Sequence, residues 1–149
     1  MHLDAALLHR SPDGHTVQTH RHPQHELVLV RGGSIRVCTR DGVLAGSPGV
    51  LHVFPAGTDH DQGCTGPWST ICLLLRSDDP LLQGPARAID TGDDPLLASW
   101  FDQLCSLAGG TEADDRAAAD ALAQAVLHRI RRLERERSQR EARPPALLR

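Results

Sequence analysis

The chain has 149 residues, a formal net charge of −3, nine histidines and sixteen basic residues that are all arginine. That length fits one domain able to bury a real core, and the small charge singles out no class of partner. No run approaches the eighteen apolar residues of a membrane helix, and the start, "MHLDAALLHRSPDG", has no basic head, sustained apolar stretch or cleavage pattern. A cytoplasmic address with no membrane partner is therefore expected. Cys38, Cys64, Cys72 and Cys105 form no C-x-x-C pair, so reduced, partly buried thiols are expected.

Glycine and proline are frequent up to Gly110 and sparse beyond it, except at Pro144-Pro145. This composition predicts a turn-rich β body over residues 1–92, then helices over 93–149. Within the β body, "ELVLV" (26–30) ends at Gly32-Gly33, and "SIRVCTR" (34–40) alternates as a half-buried strand does. Asp41-Gly42 and "GSPG" (46–49) are turn signals, and "VLHVF" (50–54) and "STICLLLR" (69–76) read as further strands at barrel-like spacing.

Downstream, Asp93 or Asp94 caps a helix that has Pro95 at its first position and stops at Gly109-Gly110. Its apolar face is Leu97, Trp100 or Phe101, Leu104 and Ala108. A second helix is expected from Asp114 or Asp115 to about Arg140, with a stripe of Ala119, Leu122, Val126, Ile130 and Leu133. The short glycine loop between them predicts an antiparallel hairpin. The stripe Leu122, Val126, Ile130 and Leu133 serves either as a homodimer interface, which is the expectation, or as packing within one chain. Arginines exceed glutamates by seven to three between His128 and Arg143, which suits a solvated helix face or an auxiliary phosphate contact.

The chemistry lies in "GHTVQTHRHPQHELVLVRGG" (14–33). In an extended strand His20, His22 and Glu26 share one face. Two imidazoles and a carboxylate suit a divalent first-row metal, zinc, nickel, manganese or iron alike. The same groups can instead hydrogen-bond around a small polar pocket without a metal. His25 reads as a strand-edge side chain, and His15, His52 and His128 as structural.

The spacing carries a resemblance. Gly14, five residues, His20-x-His22, three residues, Glu26, six residues and Gly33 is similar to the first signature of the cupin superfamily. Gly49, five residues, Pro55-x-Gly57, two residues and His60 is similar to the second, with Cys64 where that signature often has Asn. The resemblance spans roughly residues 14 to 76. It implies a cupin-type double-stranded β-helix, a jelly-roll barrel, and the metal ligands His20, His22, Glu26 and His60.

Within the cupins, "HRHPQHELVLVRGGSIRV", "GVLAGSPGVLHVFPAGTDH" and "GPWSTICLLL" resemble the sensing and dimerisation domain of AraC-family transcriptional regulators. In that family a helical hairpin follows the barrel, and a helix-turn-helix region, here expected beyond "RPPALLR", contacts DNA. The implied function is effector sensing by a homodimer that touches DNA only through a region not present in this sequence. The rival reading is a stand-alone metal-dependent cupin enzyme, a dioxygenase or isomerase. Phe54, Trp68 and Cys64 are the expected pocket residues for a small-molecule effector.

Overall fold

Residues 1–146 are described by a computed structural model. Nine strands come first: β1 (His2–Ser11), β2 (Val17–His20), β3 (His25–Gly32), β4 (Ile35–Thr39), β5 (Gly42–Gly46), β6 (Val50–Phe54), β7 (His60–Cys64), β8 (Trp68–Arg76) and β9 (Arg87–Asp90). A single 3-10 turn, Pro80–Leu82, precedes β9, and the helices α1 (Pro95–Ala108) and α2 (Ala113–Ala142) follow. The strands form two antiparallel sheets, a five-stranded one in the order β1-β8-β3-β6-β9 and a four-stranded one in the order β2-β7-β4-β5. This is a jelly-roll barrel followed by two helices.

The central strands of the larger sheet are covered on both sides, which is why "ELVLV" and "CLLL" run apolar without alternating. Val28, Val30, Phe54 and Cys72 face the barrel interior with Ile35 and Val37 of the smaller sheet. Leu27, Leu29, Leu51, Val53, Ile71, Leu73 and Leu75 face the other way, into a second core with Leu97, Phe101 and Leu104 of α1 and Val126, Leu127 and Ile130 of α2. The outer face of the barrel sheet is thus the inner face of the helical layer, and barrel and helices share one core.

Two glycines bracket the first signature for steric reasons. Gly14 has φ +67°, and a Cβ there would sit 2.6 Å from the Gly66 carbonyl oxygen. Gly33 has φ +73°, and a Cβ there would lie 2.1 Å from the Pro67 oxygen. Both lie against the turn into β8, where only a bare backbone fits.

Helix α1 begins as its sequence dictates. Asp94 is the N-cap and accepts a hydrogen bond from the Leu97 N–H, with Pro95 at the first position. The Asp94 carboxylate also takes both forks of Arg129 from α2, at 3.0 and 2.7 Å, so one side chain caps one helix and anchors the other. Asp79 does the same near the 3-10 turn, capping it and pairing with Arg131.

The stripe on α2 requires a correction. Val126 and Ile130 are 0% exposed in the single chain, so they belong to its own core and are not open to a second copy. Leu122 and Leu133 pack partly buried at the margin of that core. The buried face is Ala119, Ala123, Val126, Leu127 and Ile130, slightly rotated from the expected one. Beside that face the Asp120 carboxylate accepts from the Leu3 N–H of β1 at 2.9 Å. Beyond Leu133 the helix is solvated, and Arg132–Glu136 and Arg137–Glu141 pair along it four residues apart.

Candidate metal centre

His20, His22, Glu26 and His60 come together, each offering one ligand atom, with all four atoms within 4.8 Å of one another. Ligands about 2.1 Å from a common centre span about 4 Å across it. The sheet register does most of the placing. His20 on β2 stands directly opposite His60 on β7, and their ring centroids are 4.4 Å apart. Glu26 lies in β3, between Phe54 of β6 and Leu74 of β8, and its side chain reaches the imidazoles from the other sheet. His22 follows the end of β2; its Nε2 is 3.2 Å from Glu26 Oε2, and His60 Nε2 is 3.1 Å from the same oxygen. The backbone joins the two signatures directly, because the Gly57 N–H donates to the His22 carbonyl at 2.8 Å.

Three features suit a divalent cation. First, the Nδ1 atoms of His20 and His60 lie 2.8 and 3.0 Å from the carbonyl oxygens of Gln18 and Thr58. A carbonyl only accepts, so Nδ1 carries the proton and the neutral ring turns its Nε2 lone pair inward. Second, Glu26 Oε2 is buried and makes no aligned hydrogen bond, despite two imidazole nitrogens close by. A buried carboxylate oxygen left that way is costly, and a cation resolves it. Third, the ring of Phe54 stacks on His60 at 4.1 Å and 1°, which fixes the imidazole plane.

Without a metal the same groups hold a proton. Burial alone would lower the His60 imidazole, but the close Glu26 carboxylate, with the Thr58 carbonyl, holds it above its ordinary value. Burial raises Glu26, and the close approach of His60 with the charges of His60, His22 and His20 outweighs that and holds it below the usual carboxylate range. The pair therefore stabilises the metal-free fold at mildly acidic pH. Its contribution is lost as pH falls through the depressed Glu26 value and as pH rises through the raised His60 value. A metal has to displace that proton and compete with protons at two more imidazole ligands. Affinity is expected to fall steeply from about pH 7 to about pH 5 in a competition titration against a chromophoric chelator. A flat profile would count against three histidine ligands.

Residues 7–74 match the Cupin domain family. The barrel has the cupin-type fold. Solved structures with a similar barrel include a cupin-2 domain containing protein from Shewanella frigidimarina, 21% identical, covering 48% of this chain and 69% of that one with a TM-score of 0.43. A cupin superfamily protein from Desulfitobacterium hafniense is 19% identical, covering 48% and 66%, with a TM-score of 0.46. Oxalate decarboxylase from Bacillus subtilis is 23% identical with a TM-score of 0.42, and the match covers 46% of this chain and 20% of that enzyme. No curated protein matches the chain. Among the described residues no helix is long and apolar enough to cross a membrane.

Inside the cupin barrel a cavity of about 130 Å³ opens beside the four groups. Val17, Val28, Val37 and Phe54 give it apolar walls, and Gln62 and Cys72 add polar atoms. Of the expected pocket residues, Phe54 lines it and Trp68 and Cys64 do not. The Trp68 indole N–H donates to the His15 carbonyl at 3.0 Å, and the Cys64 thiol donates to the carbonyls of Gly14 and His15. Both clasp the turn before β2, at the opposite end of β7 from His60. Cys72 takes the place expected for Cys64; burial pushes its thiol up to about 12, so it is a neutral wall group, not a nucleophile. All four cysteines are free thiols.

Three other histidines of the barrel have structural partners. His25 bridges the Ala56 N–H and the Ser77 carbonyl, His52 is buried against the Ala45 carbonyl, and His15 bonds Ser11.

Proposed function

We propose that this chain is the effector-sensing and dimerisation part of an AraC-type transcriptional regulator, with a divalent metal held by His20, His22, Glu26 and His60. The observation that carries this reading is a four-ligand cluster at the edge of a small cavity whose wall strands also floor the helical layer. On β3, Glu26 faces the cluster while Leu27 faces the helices; on β8, Cys72 lines the cavity while Leu73 faces the helices. A small displacement of either strand reaches α1 and α2 through one peptide unit, and Arg129 and Arg131 tie α2 to that same body.

When bound, the metal supplies a Lewis acid with coordination positions free for a small molecule. The protein's own part is to orient the imidazoles through the Gln18 and Thr58 carbonyls, to hold or release a proton at His60 Nε2, and to keep the cavity walls apolar. A small molecule acts only through unequal affinity for two packings of the helices. A second copy would meet the surface that remains after the helices dock, where Leu122 and Leu133 are partly exposed, and DNA contact would come from a region outside residues 1–149.

A second reading, a metal-dependent enzyme of dioxygenase or isomerase type, is supported by the same open coordination next to an apolar cavity. The two separate when metal-loaded protein is incubated with a panel of small carboxylates, alcohols and amines. A sensor returns the compound unchanged by NMR and alters amide exchange along α2 on binding. Turnover without any change in α2 would sink the sensor reading in favour of the enzyme.

A further inference from the structure

Among the side chains around the cavity, Gln62 carries a polar group that the metal-ligand cluster does not use. It lies two residues after His60 on β7, so it shares the inward face of that strand, about 7 Å further along. Across the β2–β7 pair it faces Val17. Its Nε2 is buried and has no hydrogen-bond partner, and it lines the same cavity as the metal-ligand cluster. A buried amide donor without an acceptor is costly, and here it borders a space that a ligand can fill.

Charge and size narrow that ligand. A divalent cation with three neutral imidazoles and the Glu26 carboxylate keeps one net positive charge within its ligand shell, which, with Asp61 also on the lining, admits one anion at most. A second negative charge would meet Asp61, which also lines the cavity and is held by the Cys38 N–H at 2.7 Å. A volume of about 130 Å³ holds about four water-sized groups, well below the size of usual drug-like or sugar pockets. Val17, Val28 and Val37 offer a short alkyl tail an apolar wall.

We propose that the cavity binds a small monocarboxylate of acetate or propionate size, and that Gln62 selects it by donating its amide N–H to a carboxylate oxygen. This rests on the metal-site reading above.

The test is calorimetric titration of protein loaded with Zn²⁺, with one ion per chain established first by elemental analysis. The probes are acetate, propionate, hexanoate, malonate and propanamide. Acetate and propionate are expected to bind, while hexanoate is too long, malonate carries one charge too many and propanamide none. Gln62→Leu removes the donor at similar volume and should weaken propionate by about ten-fold or more while retaining its zinc. Gln62→Asn, which keeps the amide but shortens its reach, should fall between the two and serves if the leucine variant folds poorly. Equal propionate affinity in native protein and Gln62→Leu overturns the role of Gln62. Malonate or propanamide binding as tightly as propionate overturns the monocarboxylate. Failure of the native protein to take up zinc overturns the metal reading and this proposal with it, and is distinguishable because it appears in the elemental analysis before any carboxylate is added.

Discussion

Val126→Glu combined with Ile130→Glu is expected to unfold the protein rather than release a folded monomer. Both native side chains are 0% exposed within one chain, in the core formed by α2, α1 and the outer face of the larger sheet. Each substitution forfeits roughly 1.5 to 3 kcal/mol of apolar burial. Each also buries a carboxylate with no partner, at a further cost of several kcal/mol unless it protonates. A domain of this size has about 5 to 15 kcal/mol in total, so the two changes together exhaust it. Circular dichroism and a thermal melt decide the matter. Native-like ellipticity with a cooperative melt would mean that α2 is not docked as described, and that its stripe is free for a second copy after all. Leu133→Glu, at the partly exposed margin of the same helix, should cost little by comparison.

That stripe shows where reading the sequence runs out. Spacings of three and four residues correctly marked α2 as amphipathic, but periodicity reports which face is apolar and not what covers it. The cover came from the outer face of the larger sheet, which the pattern concealed because β3 and β8 are buried on both faces. An alternating strand would have declared one wet side and one dry side. "LVLV" and "ICLLL" declare only that both are dry, so neither the helix-docking face nor the cavity face was legible residue by residue.

Other strands were missed for local reasons. β1 has Leu3, Ala5, Ala6, Leu7 and Leu8 with no period of two, because its register against β8 shifts between Leu3 and Ala5 and its second half is exposed at a sheet edge, with Leu7 49% and Leu8 48% accessible. β7, "HDQGC", holds no large apolar side chain, since its inward positions serve the polar site. Strand parity from His60 would have found Gln62 had that segment been taken as a strand. The four-residue cluster was legible for a different reason. Glycine and proline spacing fixes turns, the turns fix register, and the register sets His20 opposite His60. Trp68, chosen as an aromatic pocket wall, instead spends its N–H on the His15 carbonyl, and nothing in its own sequence neighbourhood foretells that.

The second large effect concerns the metal itself. Adding a divalent ion to purified protein is expected to raise the melting temperature by roughly 10 °C when the free ion is about a thousand-fold above its dissociation constant. Binding to the folded state alone is then worth about 4 kcal/mol, and each kcal/mol shifts a domain of this size by about 2 to 4 °C. His20→Ala with His60→Ala should abolish both the shift and stoichiometric uptake by elemental analysis. The two substitutions are not equivalent in the metal-free protein. His60 Nε2 lies 3.1 Å from the buried Glu26 carboxylate and its charge helps hold that group ionised, so its loss leaves the carboxylate less compensated and should lower the stability of the metal-free protein by about 1 to 3 kcal/mol. His20 is half-buried, with its Nδ1 on the nearby Gln18 carbonyl, so His20→Ala alone should leave the metal-free melt nearly unchanged while weakening metal binding. A single variant that loses the metal response without losing its own stability separates ligation from packing. If His20→Ala instead keeps the full metal-induced shift, the cluster is a proton-sharing histidine network around Glu26 and not a metal centre.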